Sequence, residues 1–236
     1  MSTENANFLV SNQELLSIEG PIRLILASQS PRRREILDMM GLKGKYTVNP
    51  SPLDEEKLAL KLSQEETLTP QEYTKTLAEE KANALAVEIV SGGGDLSDKV
   101  TFILGSDTIV DLNGKILEKP KSRENAVEML KSLSGQWHCV HTGVAIYSVD
   151  GEKRVQLATS YTETTKVKFS DLSLQDIEAY VKTGEPMDKS GSYGIQVSFC
   201  LISECINMNV RKIFANIALT LFSKFNRELV VSLLKL

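Results

Sequence analysis

The sequence predicts an α/β fold around a mixed β-sheet, and three observations carry the prediction. Residues 22–41 read as strand, turn and helix; Asn113-Gly114 joins two alternating apolar runs as a hairpin; and helical periodicity recurs near 69–90, 122–133 and 173–184 between strand-like segments. Hairpins make antiparallel neighbours and helical crossovers make parallel ones, so a single sheet should contain both.

Residues 1–20 read as a loosely ordered N-terminal extension. Ile22 to Ala27 is apolar and branched, as a buried strand is. Ser30 fits the N-cap of the next helix, Pro31 its first position, and Ile36, Leu37 and Met40 its buried stripe before Gly41 ends the run. Arg32, Arg33 and Arg34 therefore occupy a first turn whose unpaired N–H groups already carry partial positive charge, at about a few tenths of a kcal/mol per added cation. An anion offsets that cost, and a strand, a small-residue turn and a helix start with guanidinium forks suit phosphate. A solvated basic patch is the plainer reading of any arginine run.

Residues 46–68 read as a polar connector holding Asp54, Glu55 and Glu56. Thr69-Pro70-Gln71-Glu72 is a capping box with proline at the first helical position, opening a long helix to about Val90. Lys81 falls in its apolar stripe with Leu77, Ala78, Ala84 and Leu85. Either its stem packs while the ammonium snorkels to water, or the ammonium is aimed into a cleft. Ser91 to Asp95 is a glycine-rich linker.

The Asn113-Gly114 turn pairs Leu112 with Lys115 and, by extension, Thr108 with Lys119. Asp107 and Glu118 then share one face of the hairpin, and Thr108 and Lys119 the other, with irregular ends expected at Gly105 and Pro120. Ser122 caps a helix burying Ala126, Val127, Leu130 and Leu133, stopped at Gly135. Trp137 to Val149 is a strand, Asp150-Gly151 a second hairpin turn, and Val155 to Phe169 one or two strands. Ser173 opens a helix with Ile177, Tyr180 and Val181 inward, ending at Gly184.

A chain of 236 residues with 42% hydrophobic and 25% charged residues is an ordinary globular protein, neither fibrous nor wholly disordered. Its net charge of -4 argues against broad binding to nucleic-acid polymers, which makes a local arginine cluster more informative. Cys139, Cys200 and Cys205 show no metal-type pairing and an odd count, which favours a reducing, cytoplasmic setting. The first twenty residues lack the pattern of a secretory signal. With His138 and His141 as the two histidines and no ligand-spaced cysteines, a structural zinc site is not expected, and an i,i+3 pair in a strand points to opposite faces.

Six segments, SQSPRR (28–33), LAEEKA (77–82), GSDTIV (105–110), LEKP (117–120), SGQWHCVHTGVAI (134–146) and DKSGSYGIQ (188–196), together resemble the Maf family, in the family's order. The resemblance covers 21–196 and implies an elongated mixed sheet flanked by helices, two lobes around a nucleotide cleft, related to the inosine triphosphate pyrophosphatases. It implies hydrolysis of the α–β anhydride of a nucleoside triphosphate, a required Mg²⁺ or Mn²⁺, and a role in removing noncanonical or surplus nucleotides. Asp107 matches the family's proton acceptor. Ser28, Arg32 and Arg33 match its phosphate-binding turn, and Lys81 and Lys119 its lysines. Glu55, with Asp107 and Glu118, matches acidic residues at the metal, and Arg32, Thr108 and Gln196 fall where the family sets substrate choice. The GSYGIQ segment resembles members acting on dTTP and UTP rather than on 7-methylated guanosine triphosphate. A homodimer is compatible with the family.

Residues 197–236 depart from the family's pattern, in which a glycine, two strands and an Asn-x-x-Gly-Leu-Pro turn follow. Ile213, Phe214, Ile217, Ala218, Leu221, Phe222 and Phe225 lie on one helical face, and the uncharged run is shorter than a membrane span. This divergent apolar segment reads either as a docking helix or, preferably, as a retained intron or misjoined gene model beginning at Val197-Ser198. An inactive or regulatory nucleotide-binding isoform is the corresponding alternative function.

Overall fold

The computed structural model describes residues 22–65, 68–93, 100–194 and 202–206. Gln196, the N-terminal extension and the apolar helix expected after 206 lie outside these residues.

Among the described residues, seven strands form one sheet: β1 (Ile22–Leu26), β2 (Tyr46–Val48), β3 (Val100–Leu112), β4 (Lys115–Leu117), β5 (Trp137–Val149), β6 (Val155–Phe169) and β7 (Ile202–Ile206). The order is β2-β1-β3-β5-β6-β7, with β4 hairpinned onto β3. Strand β1 lies parallel to β2 and β3, because helical segments intervene. Pairings from β3 through β5 and β6 to β7 are antiparallel, so the sheet is mixed.

Five α-helices flank it: α1 (Pro31–Leu37), α2 (Glu55–Ser63), α3 (Pro70–Ser91), α4 (Arg123–Leu133) and α5 (Leu174–Lys182). Thr69 and Glu72 close the reciprocal capping box on α3, and Ser122 and Ser173 accept N–H bonds at the starts of α4 and α5. Ser30 occupies the N-cap of α1 without such a side-chain bond. Gly41, at φ 77°, ends the turn that follows α1, in a conformation glycine adopts without steric cost.

Four differences from the sequence reading have physical causes. The stretch expected to be a connector contains β2 and α2. Asp54 caps α2 through Lys57 N at 3.0 Å, and only Leu62 is buried on it, too little apolar repeat to signal a helix. Strand β4 stops at Leu117, so Leu112 pairs with Lys115 but Thr108 and Lys119 do not pair; Pro120 cannot continue a ladder. Asp150-Gly151 is not a two-residue turn, because Val149 pairs with Val155 and Lys153 takes the left-handed conformation at φ 62°. Strand β7 lies inside the segment whose sequence lacks the family's final pattern, pairing Val167 with Cys205.

The core divides along the strands. At one end Leu24, Leu26, Phe102, Leu104, Val144 and Ile146 meet Leu37 of α1 on one face, while Ile25, Ile103 and Val149 meet Ala82, Leu85 and Ala86 of α3 on the other. At the far end Val110, Val140, Val167 and Phe169 pack on α4 and α5 through Leu130, Leu133, Ile177 and Val181. Truncating fully buried Leu130 to alanine should cost about 2–5 kcal/mol. Between these clusters β3 carries Ser106, Asp107 and Thr108, so a polar band crosses the middle of the sheet.

Candidate active site

Asp107 sits in that band, facing α3, and two glycines decide how closely the helix approaches it. A Cβ at Gly105 would lie 2.2 Å from the Ala78 carbonyl oxygen, and one at Gly143, the register partner of Asp107, 2.2 Å from that of Thr74. Only bare backbone admits the helix at this distance. The close approach carries Lys81 onto the aspartate.

Lys81 is 3% exposed and does not snorkel. Its Nζ lies 2.5 Å from Asp107 Oδ1 and 2.8 Å from Glu55 Oε2, so one buried ammonium joins carboxylates from β3 and α2. Arg33 Nη2 stands 3.9 Å from the same Asp107 oxygen. Its Nη1 donates to Ser28 Oγ at 2.7 Å, and Ser28 Oγ also accepts from Ser30 N at 3.2 Å. Ser28, Arg33, Lys81, Glu55 and Asp107 therefore meet, although they come from four separate parts of the chain.

The other predicted residues take different places. Arg32 turns away from Asp107 to pair with Glu185 at 3.7 Å, and a Cβ at Gly194 would strike its Nη2 at 2.2 Å. Arg34 is exposed. Thr108 faces the opposite side of the sheet, 3.2 Å from Thr142 Oγ1, and its carbonyl accepts from Ser190 Oγ at 2.7 Å. Glu118 accepts a hydrogen bond from the Tyr73 hydroxyl of α3, two helical turns before Lys81, so both carboxylates of the hairpin face that helix. Lys119 is exposed, with no hydrogen-bond or ion-pair partner among the described residues.

Sequence reasoning missed the supports. Burial first, then Glu118, raises the Tyr73 hydroxyl above its ordinary range, so it remains a donor that orients this carboxylate. Its position eight residues before Lys81, on one helical face, was a usable signal. Gly191 N donates to the Glu118 carbonyl at 3.1 Å, and a Cβ at Gly191 would meet Val110 Cγ2 at 2.6 Å, seating the 188–194 segment on the hairpin. Glu185 carried no sequence signal.

Guanidinium and ammonium groups converging on one half-buried carboxylate beside the turn that follows β1 can hold a polyphosphate and activate a water beside it. The family model described as "Maf-like protein" matches residues 23–213. The chain belongs to the Maf-like family. Relatives include a Bacillus pumilus protein named dTTP/UTP pyrophosphatase, 42% identical across 74% of this chain and 79% of its own. An Aquifex aeolicus protein of the same name is 38% identical across 80% and 86%. A human protein named probable bifunctional dTTP/UTP pyrophosphatase/methyltransferase protein is 41% identical across 78% of this chain and 28% of its own. Among solved structures, the Staphylococcus aureus Ham1 protein aligns over 86% of this chain and 98% of its own at 15% identity and a TM-score of 0.37, a likeness too loose to bear on function.

Among the described residues, no helix of this Maf-like chain is long and apolar enough to cross a membrane.

Proposed function

We propose that this chain hydrolyses dTTP and UTP to the nucleoside monophosphate and pyrophosphate. The observation that carries the reading is the buried Lys81 ammonium held between Asp107 and Glu55, with Arg33 on the same aspartate oxygen. Cleaving an anhydride needs charge neutralisation and a positioned water more than covalent chemistry from the protein. Arg33, Lys81 and Lys119 bind the phosphates, and Ser28 fixes the Arg33 guanidinium. Asp107 takes a proton from water as the water oxygen bonds to the α-phosphorus; the α–β bridging oxygen leaves with pyrophosphate.

Glu55, Asp107 and Glu118 offer the carboxylate oxygens that a hard divalent cation such as Mg²⁺ or Mn²⁺ takes, and these three residues would hold it. When bound, the cation would neutralise phosphate charge as a Lewis acid. Tyr73 holds Glu118 for that role. Arg32, Thr108 and Gln196 choose the base, and the names of the relatives support a pyrimidine preference. The residues gathered at Asp107 and those names favour an active enzyme over an inactive isoform.

The test is metal-dependent pyrophosphate release from dTTP and UTP beside purine triphosphates and 7-methyl-GTP, with Asp107→Asn in parallel. Release from the pyrimidines that falls by about 10²–10⁴-fold in the variant is expected. A preference for 7-methyl-GTP, or equal activity in Asp107→Asn, would overturn the reading.

A further inference from the structure

A second cluster of ligand-type side chains lies on the same strands, away from the phosphate site. Asp111 of β3 and Cys139 of β5 are register partners, and His141 follows two residues after Cys139 on the same face. One ligand atom from each lies within 4.8 Å of the others, the one such trio among the described residues. Asp111 is four residues beyond Asp107, about 13 Å along the strand, too far to share an ion with it.

The individual contacts resemble a metal site more than a hydrogen-bonded pair. His141 is fully buried, and its Nδ1 lies 2.8 Å from Thr164 Oγ1. That partner leaves Nε2 facing Asp111 and Cys139, the arrangement in which an outer hydrogen bond fixes the tautomer of a metal-binding imidazole. The Nε2 to Asp111 Oδ2 separation is 3.4 Å, long for a hydrogen bond. It matches the edge of a tetrahedron with nitrogen and oxygen about 2.0–2.1 Å from the centre, which is about 3.3–3.4 Å. Asp111 is itself braced, its other oxygen accepting from Gly114 N at 2.7 Å in the hairpin turn.

We propose that Asp111, Cys139 and His141 bind one zinc-class divalent ion, pinning the β3–β4 hairpin to β5, with solvent water as fourth ligand through the half-exposed side of Asp111 and Cys139. Thiolate and imidazole select zinc, cobalt or nickel over magnesium, so the site is chemically distinct from the carboxylate set at Asp107. Binding through the Cys139 thiolate would release one proton per ion from sulfur. The sequence reading overlooked the trio because the ligand from β3 is almost thirty residues from the Cys-x-His pair.

Titrating chelator-stripped full-length protein with Co²⁺ tests this without any activity measurement. In a Cys200→Ser, Cys205→Ser background, one equivalent of Co²⁺ should produce a thiolate-to-cobalt charge-transfer band that Zn²⁺ displaces and Mg²⁺ does not. Cys139→Ser, at a half-buried position, should abolish the band, and Thr164→Val should weaken Co²⁺ affinity by about tenfold or more. Circular dichroism confirms that each variant folds. No band in the parent, or a band that survives Cys139→Ser, overturns the proposal.

Discussion

The Lys81 ammonium lies 2.5 Å from the Asp107 carboxylate, though the rest of helix α3 and a linker lie between the two residues in the chain. A lysine this deeply buried costs several kcal/mol unless paired, and here Glu55 supplies a second partner at 2.8 Å. Charge at this position is therefore built into the fold before any substrate arrives. Lys81→Met, which keeps the apolar stem, should lower kcat by about 10²–10³-fold, the scale for losing one preorganised donor. Steady-state kinetics with dTTP measure it; a change below threefold would separate Lys81 from the chemistry.

Arg32 does a different job from Arg33. It faces Glu185 and Gly194 rather than Asp107, so Arg32→Ala should act on binding. KM is expected to rise by about 10–100-fold, the range for a charge-assisted hydrogen bond of about 1.5–3 kcal/mol, with thermal stability almost unchanged. The half-exposed pair with Glu185 contributes little to folding. A matched set of KM and melting measurements decides between this and a structural role.

Gly143 tests the close packing of α3. Adding one methyl where the Thr74 carbonyl oxygen would be 2.2 Å away forces helix or strand to shift. Gly143→Ala should destabilise by about 1–3 kcal/mol in urea and cut turnover as well, because the helix carries Lys81. Loss of stability with full turnover would show that the helix moves without disturbing the site.

His138 makes stability fall in acid. Burial lowers its imidazole to about 4 from 6.5, and its ring packs edge-on against Phe169 and Tyr193. The unfolded chain therefore binds more protons between those values. Stability is undiminished above pH 6.5, drops as pH falls through this window, and by about pH 4 has lost about 3 kcal/mol on this account. Denaturant midpoints for the parent and His138→Gln at pH 7 and 4.5 should converge as pH falls; a constant difference would remove His138 as the cause.

Much of the framework was legible in the chain because local chemistry and tertiary demand agree there. Trp137 to Val149 is a strand with the expected ends, Asn113 and Gly114 have the positive φ values of a tight hairpin, and Thr69 and Glu72 cap α3 reciprocally. His138 and His141 face opposite sides, one on Tyr193 and the other on Asp111. What spacing could not reveal were relationships fixed by packing across the sheet. Neighbouring arginines 32 and 33 diverge to different partners, Lys81 is enclosed rather than wetted, and Leu62, the one buried residue of α2, packs on α3 and β3, which its own periodicity did not signal. Motif resemblance singled out Asp107 and Lys81, which the fold brings into contact, whereas Glu185 became visible only as a neighbour of Arg32.

The apolar clusters at the two ends share three uninterrupted strands, of 13, 13 and 15 residues, rather than a linker. Drawing the ends together over a guest would thus mean flexing a hydrogen-bonded ribbon, a springlike deformation of small amplitude, with no joint at which one half can swing. For the nucleotide proposed above, selectivity would then come from how well it fits a nearly prepared site, and a bulkier base would be turned away by stiffness more than by a slow closing step.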